Sequence, residues 1–159
     1  MERSLFPSRQ HRLTRISWHE LGVKIVLCHG VFDLLHVGHI VHLQEARVFG
    51  DRLVVSVVAD KFIEKTHRPI IYNEASRVGL LRELRCVDIV VLCQAPGPEK
   101  IIENMRPDVY VRGPDYIGRR MPESDILEQL GIPVRFTPSS FKRTTETIKE
   151  IVSLFNEKR

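Results

Sequence analysis

No apolar run in the 159-residue chain approaches the roughly 20 residues that a membrane-spanning helix needs. No membrane partner is therefore expected. Cysteine is scarce, with Cys28, Cys86 and Cys93 an odd set that gives no disulfide framework. Each sits in or beside an apolar run, so they read as buried thiols of a cytoplasmic protein. Aromatic residues make up only 7%, with one tryptophan, and there is no aromatic-rich strand motif on which bases would stack. No nucleic-acid partner is expected either, despite a net charge of +4. His29, His36, His39 and His42 crowd together, yet they lack the cysteine or carboxylate partners and the spacings of a zinc site, so no metal-binding cluster is expected. Around these histidines there is also no Ser, His and Asp arrangement, and no cysteine suited to covalent catalysis.

What is there suits one domain. With 43% hydrophobic residues the chain can bury a core without staples. Residues 1–22 are rich in Arg and Ser and read as a basic lead-in, ending in a short helix at Trp18–Leu21, ahead of a domain over 23–159. From there short apolar runs alternate with helical patterns. Strands are expected at Lys24–Cys28, Leu53–Val58, Asp88–Leu92, Val109–Val111 and Val134–Phe136. Helices are expected at Ile40–Val48, Glu74–Arg85, Glu99–Met105, Ser124–Leu130 and Thr144–Phe155. Asn73 suits the cap of the second of these, and Pro98 the first turn of the third. The alternation predicts an α/β fold, a doubly wound five-stranded parallel sheet with helices on both faces. Ligands of such sheets bind at the strand carboxyl ends, where the strand order reverses.

The most informative stretch follows the first strand: Gly30-Val31-Phe32-Asp33-Leu34-Leu35-His36-Val37-Gly38-His39. Two histidines three residues apart fall on one face of a first helical turn. They stand beside a helix N-terminus whose free amides and positive dipole end favour anions. This predicts a phosphate site, and the basic residues Arg112, Arg119, Arg120, Arg135, Lys142 and Arg143 suit a polyanionic ligand. His29 and His42 are not expected to bind anything, with His42 on the exposed or partner side of the helix.

Gly30, Phe32, Asp33, His36, Gly38 and His39 resemble the signature of the nucleotidylyltransferase superfamily. The similarity is greatest to its cytidylyltransferase-like branch, which holds heptose-1-phosphate adenylyltransferases and glycerol-3-phosphate cytidylyltransferases. Val31 is similar to the heptose enzymes, and the resemblance runs from about Val23 to Ile151. It implies a Rossmann-like fold and transfer of a nucleoside monophosphate from an NTP to a sugar or polyol phosphate. Pyrophosphate is released, with Mg²⁺ bridging the nucleotide phosphates. ATP with heptose 1-phosphate leads, and CTP forming a CDP-alcohol such as CDP-glycerol is the alternative. A nucleotide-binding regulatory module without turnover is a third possibility, from another class. Members of the branch are commonly dimers or larger and are sometimes fused to a sugar kinase, so a homo-oligomer and a separate kinase are expected.

The resemblance also implies roles. His36 and His39 serve the reacting phosphates, helped by Gly38 and by Gly30, Val31 and Phe32 around the nucleotide. Lys65, with Lys61 second, holds phosphate from the segment after the second strand, which is a few residues shorter here than in the heptose enzymes. Arg77 matches an arginine that reaches toward the active site. Arg112-Gly113-Pro114-Asp115-Tyr116 resembles the branch's Lys-Gly-Gly-Asp-Tyr, with Arg112, Gly113 and Asp115 toward the nucleotide and Tyr116 and Asp33 toward the acceptor. Ser140, Arg143, Thr144 and Thr145 stand where the branch carries Ser-Thr-Thr before its last helix, and Arg143 replaces a serine.

Overall fold

The computed structural model describes residues 20–63, 70–139 and 144–156. Residues 1–19 of the expected lead-in, with Trp18 and His19 of the helix expected at Trp18–Leu21, lie outside the described residues. Five strands form one sheet: β1 (Ile25–Gly30), β2 (Arg52–Val58), β3 (Ile89–Cys93), β4 (Val109–Arg112) and β5 (Val134–Phe136). All pairings are parallel, in the order β3-β2-β1-β4-β5. The helices are α1 (Val37–Arg47), α2 (Asp60–Ile63), α3 (Glu74–Arg82), α4 (Glu99–Met105), α5 (Ser124–Gln129) and α6 (Thr144–Asn156).

The near-continuous apolar strands follow from burial on both faces. Val26 and Cys28 of β1 join Leu53, Val55 and Val57 of β2 in one core, under Leu43 and Ala46 of α1 and Leu81 of α3. The alternate residues Ile25, Leu27 and Val54 point the other way, into a core closed by Ile102 of α4 and Leu127 of α5. Helices therefore cover both faces, as the sequence predicts. The chain winds outward from β1 to β3 and then crosses to β4 on the other side of β1. That reversal opens a crevice between the carboxyl ends of β1 and β4. At the opposite edge aspartates satisfy the first strand amides: Asp108 accepts from Ile25 N at 2.7 Å and Asp88 from Leu53 N at 2.8 Å.

Several boundaries differ from expectation for identifiable reasons. β1 runs on to Gly30 because His29 and Gly30 still pair with Ser56 and Val57. α1 begins at Val37 because His36 caps it. Asn73 caps α3 as expected, its side chain accepting from Ser76 N at 2.9 Å. Pro98 is the N-cap of α4 and stands one position before the first turn. Two short elements escaped the sequence reading, namely α2 and a 3₁₀ turn at Pro114–Tyr116. Each is too short to show a helical period. Cys28 and Cys93 are buried and Cys86 is half-buried, all three as free thiols.

Candidate active site

The loop after β1 is held in a conformation that few residues adopt. Phe32 and Leu34 both have positive φ, 54° and 49°. Left-handed backbone costs a residue with a Cβ about 1 kcal/mol, so neighbours must hold it there. The Phe32 ring packs over Gly30, where an added Cβ would come within 3.1 Å of it. Asp33 is buried, and its carboxylate accepts from Leu34 N at 3.0 Å, Ile71 N at 3.0 Å and Tyr72 N at 2.9 Å. Arg77 donates to the Val31 carbonyl at 2.6 Å.

This braced loop delivers His36 as the N-cap of α1, with Nδ1 accepting from Gly38 N at 3.1 Å. His39, one turn on, presents its own Nδ1 to His36 N at 3.4 Å. The two ring centroids lie 4.0 Å apart, and the Phe32 ring stands 5.5 Å from that of His39. An imidazole that accepts at Nδ1 carries its proton at Nε2. His36 in that form is a neutral N–H donor, and burial lowers its pKa from the ordinary imidazole value. The first turn of α1 carries no acidic residue, so nothing on the helix itself offsets its positive end. The arrangement places two imidazoles beside a helix N-terminus, a combination whose chemistry suits an anion.

Arg77 is placed otherwise than the resemblance implies. It is fully buried, and its guanidinium is committed to protein acceptors. Besides Val31 O these are Tyr72 O at 3.1 Å, Val58 O at 2.7 Å and Asp60 Oδ1 at 2.6 Å. Asp60 also accepts from Glu74 N at 2.9 Å, while Glu74 accepts from Asp60 N at the same distance. Arg77 therefore ties the signature loop to the ends of β2 and α3. Asp33, expected near the acceptor, likewise holds backbone amides of the segment that leads into α3. Lys61 is exposed at the start of α2, its ammonium 5.0 Å from the Phe62 ring centroid.

On the other side of the crevice, Arg112 ends β4. Its Nη1 donates to the His29 carbonyl at 2.8 Å, and Nε and Nη2 donate to Glu123 Oε1, the former at 2.9 Å. Tyr110 gives its hydroxyl to the same oxygen at 2.7 Å, and the Tyr116 ring lies 4.4 Å from the guanidinium carbon. Burial alone would raise the Glu123 pKa, but Arg112 and the Tyr110 hydroxyl outweigh it and hold the carboxyl below its ordinary value. Gly113 leads into the 3₁₀ turn, where Asp115 and Tyr116 are exposed.

His29 is also buried, with Nδ1 2.9 Å from Ser56 Oγ. Burial and the Arg112 charge push its pKa down to about 4. His42, expected on the exposed or partner side of α1, meets the buried Thr137 hydroxyl at 2.8 Å. The structure brings Gly30, Val31, Phe32, Gly38, His36 and His39 together across the crevice from Arg112, Gly113, Asp115 and Tyr116. Lys65, Ser140 and Arg143 lie outside the described residues, as do the side chains of Thr144 and Thr145. Among the described residues no cluster of His, Cys, Asp and Glu forms a metal site, and Asp33 is taken up by amides. No described helix is long and apolar enough to cross a membrane.

Comparison with known families gives a match over residues 27–151 to the cytidylyltransferase-like family. The chain belongs to the cytidylyltransferase-like family. It carries that family's nucleotidyltransferase signature on a Rossmann-like sheet. Among curated proteins it is similar to the bifunctional protein HldE of Aliarcobacter butzleri, 41% identical over 84% of this chain and 28% of that protein. It is also similar to the bifunctional protein HldE of Streptomyces coelicolor, 43% identical over 67% of this chain and 24% of that protein. The chain thus spans about a quarter of the length of these relatives. A solved structure of a lipopolysaccharide core biosynthesis protein from Thermoplasma volcanium superposes with a TM-score of 0.65 at 28% identity, covering 76% of this chain and 100% of that one. Pantothenate synthetase from Thermus thermophilus, at 19% identity and a TM-score of 0.51 over 77% of this chain and 57% of that one, shares the fold.

Proposed function

We propose that this chain transfers the nucleoside monophosphate of an NTP, ATP foremost, to a sugar phosphate such as heptose 1-phosphate, releasing pyrophosphate. The observation that carries the reading is the pairing of the His36 and His39 imidazoles at the N-terminus of α1, whose first turn carries no acidic residue. The relatives named HldE and the lipopolysaccharide core biosynthesis structure support a sugar phosphate as acceptor. A phosphate monoester is mostly dianionic at neutral pH, its second pKa being about 6, so it attacks without a general base. One of its oxygens bonds to the α-phosphorus while the bond to the β-phosphate oxygen breaks, and pyrophosphate departs with that electron pair. His36, His39 and the α1 amides stabilise the charge that gathers on the crowded phosphorus and leaving group. Lys61 and Lys65 hold outer phosphates, while Arg112, Gly113 and Asp115 line the nucleotide side.

Mg²⁺ arrives with the nucleotide, since Mg²⁺ keeps waters and leans on substrate phosphates when protein carboxylates are few. Arg77 and Asp33 act by holding the signature loop in its left-handed turns. The family's cytidylyltransferase description favours a second reading, CTP as donor and a CDP-alcohol such as CDP-glycerol as product. We place the catalytic unit at 23–159, working in the cytoplasm as a homodimer or larger homo-oligomer. We propose a sugar kinase as pathway partner, a reading that the relatives' description as bifunctional supports.

The test is pyrophosphate release with Mg²⁺, crossing ATP and CTP against heptose, hexose and glycerol phosphates, with His39→Ala as control. Release that needs one nucleotide and one acceptor, and that His39→Ala abolishes, supports the transferase and names its substrates. Nucleotide binding with no release from any pair would favour a regulatory module without turnover.

A further inference from the structure

The backbone ladder between β1 and β4 ends at the Cys28–Val111 pair, one residue short of the crevice edge. Beyond it a side chain takes over, because Arg112 reaches across to the His29 carbonyl at 2.8 Å. The guanidinium is fixed in turn by Glu123, which arrives from the turn before α5 and is 1% exposed. Oε1 of that carboxylate collects Nε and Nη2 of Arg112 and the Tyr110 hydroxyl. Oε2 is buried with no hydrogen-bond partner among the described residues. A buried ion pair seldom stabilises a fold more than apolar side chains of the same volume would, and an orphaned carboxylate oxygen makes this one costlier still. Fold stability does not account for a carboxylate at this position. What the pair does achieve is a single orientation of Arg112 at the point where the strands part.

We infer that Glu123 is a positioning residue for the nucleotide crevice: it locks Arg112 across the β1–β4 gap, leaving the remaining guanidinium N–H groups for the bound nucleotide. This rests on the reading of that crevice as the nucleotide site. Glu123 acts only through Arg112, so its loss and the loss of the guanidinium fork are one event.

Calorimetric titration of Mg-ATP and Mg-CTP into wild type, Glu123→Gln, Arg112→Lys and the double variant tests this, with thermal melts alongside. Glu123→Gln is expected to weaken binding roughly tenfold, the effect of one lost well-placed hydrogen bond. The double variant is expected to bind no more weakly than Arg112→Lys alone. Unchanged affinity in folded Glu123→Gln, or losses that add in the double variant, would overturn the inference and leave the crevice reading standing. If Glu123→Gln does not fold, Glu123→Asp keeps the charge, draws it back from Arg112, and is read the same way. A wild-type protein that binds neither nucleotide overturns the crevice reading and the inference with it.

Discussion

His36 and His39 stand one helical turn apart with ring centroids at 4.0 Å, and the Nδ1 of each ring faces a backbone N–H of the turn that joins them. Each ring thus has two duties on two nitrogens. Nδ1 shapes the start of α1, and in the proposed reaction Nε2 serves the phosphates.

Substitution separates the duties. Asparagine is among the best N-cap residues, so His36→Asn keeps the helix start and loses only the Nε2 donor. Turnover is expected to fall roughly 10²- to 10³-fold, the scale of one deleted transition-state donor, with little change in Tm. His36→Ala loses the cap as well, about 1 kcal/mol of stability. Pyrophosphate release and thermal melts on the two variants check both halves, and wild-type turnover in His36→Asn would remove the donor role.

Arg77 gathers three carbonyls and the Asp60 carboxylate in a fully buried position. Lysine offers one charged point and cannot reach all four. Arg77→Lys is therefore expected to cost about 3 kcal/mol or more, since buried acceptors and a carboxylate lose their partners. Chemical denaturation measures this. A variant as stable as wild type would show that the Val31 and Val58 carbonyls find other donors.

Asp33 accepts three amides through two oxygens. Asparagine would turn an NH₂ group toward one of those N–H donors. Asp33→Asn is expected to lose about 2 kcal/mol and to loosen residues 70–72. Hydrogen exchange at the Ile71 and Tyr72 amides reads this directly, and unchanged protection there would contradict it.

Acid should destabilise the protein before its carboxylates titrate. Burial lowers the pKa of His29, to about 4, and those of His36 and His42 in the same direction. Between the folded value and the ordinary 6.5 the unfolded chain binds more protons, so stability rises with pH there. It is complete above about pH 6.5 and is lost as pH falls toward 4, with His29 accounting for about 3 kcal/mol. Tm measured from pH 7.5 to 4.5 should drop, and His29→Gln should flatten the profile. An unflattened profile would place the sensitivity elsewhere.

The parts of the molecule legible in the sequence were those encoded over a few residues. The strands are apolar runs bounded by polar residues, and their order of appearance between helical patterns was enough to give a parallel α/β sheet. The Asn73 cap and the His36–His39 pair are likewise contacts within one turn. Arg77 was not legible in the same way. The resemblance reads it as reaching toward the active site, whereas its burial depends on Val31 and Val58 carbonyls 46 and 19 positions away. Nothing local distinguishes it from Arg82 or Arg85. The partner of His42 was not legible for the same reason, Thr137 being 95 residues distant.

By itself, then, the sequence determined which segments are strands and longer helices, and where the signature turn between β1 and α1 lies. These depend on side-chain period, capping and backbone preference, all of which act over about four residues. Only the tertiary structure decided which polar groups meet. The crossover from β3 to β4 sets Arg112 beside His29 and brings Glu123 under it. Burial then decides which charges are struts of the loop and which are left to face a ligand, because a buried charge must spend its hydrogen bonds on whatever the fold has placed around it.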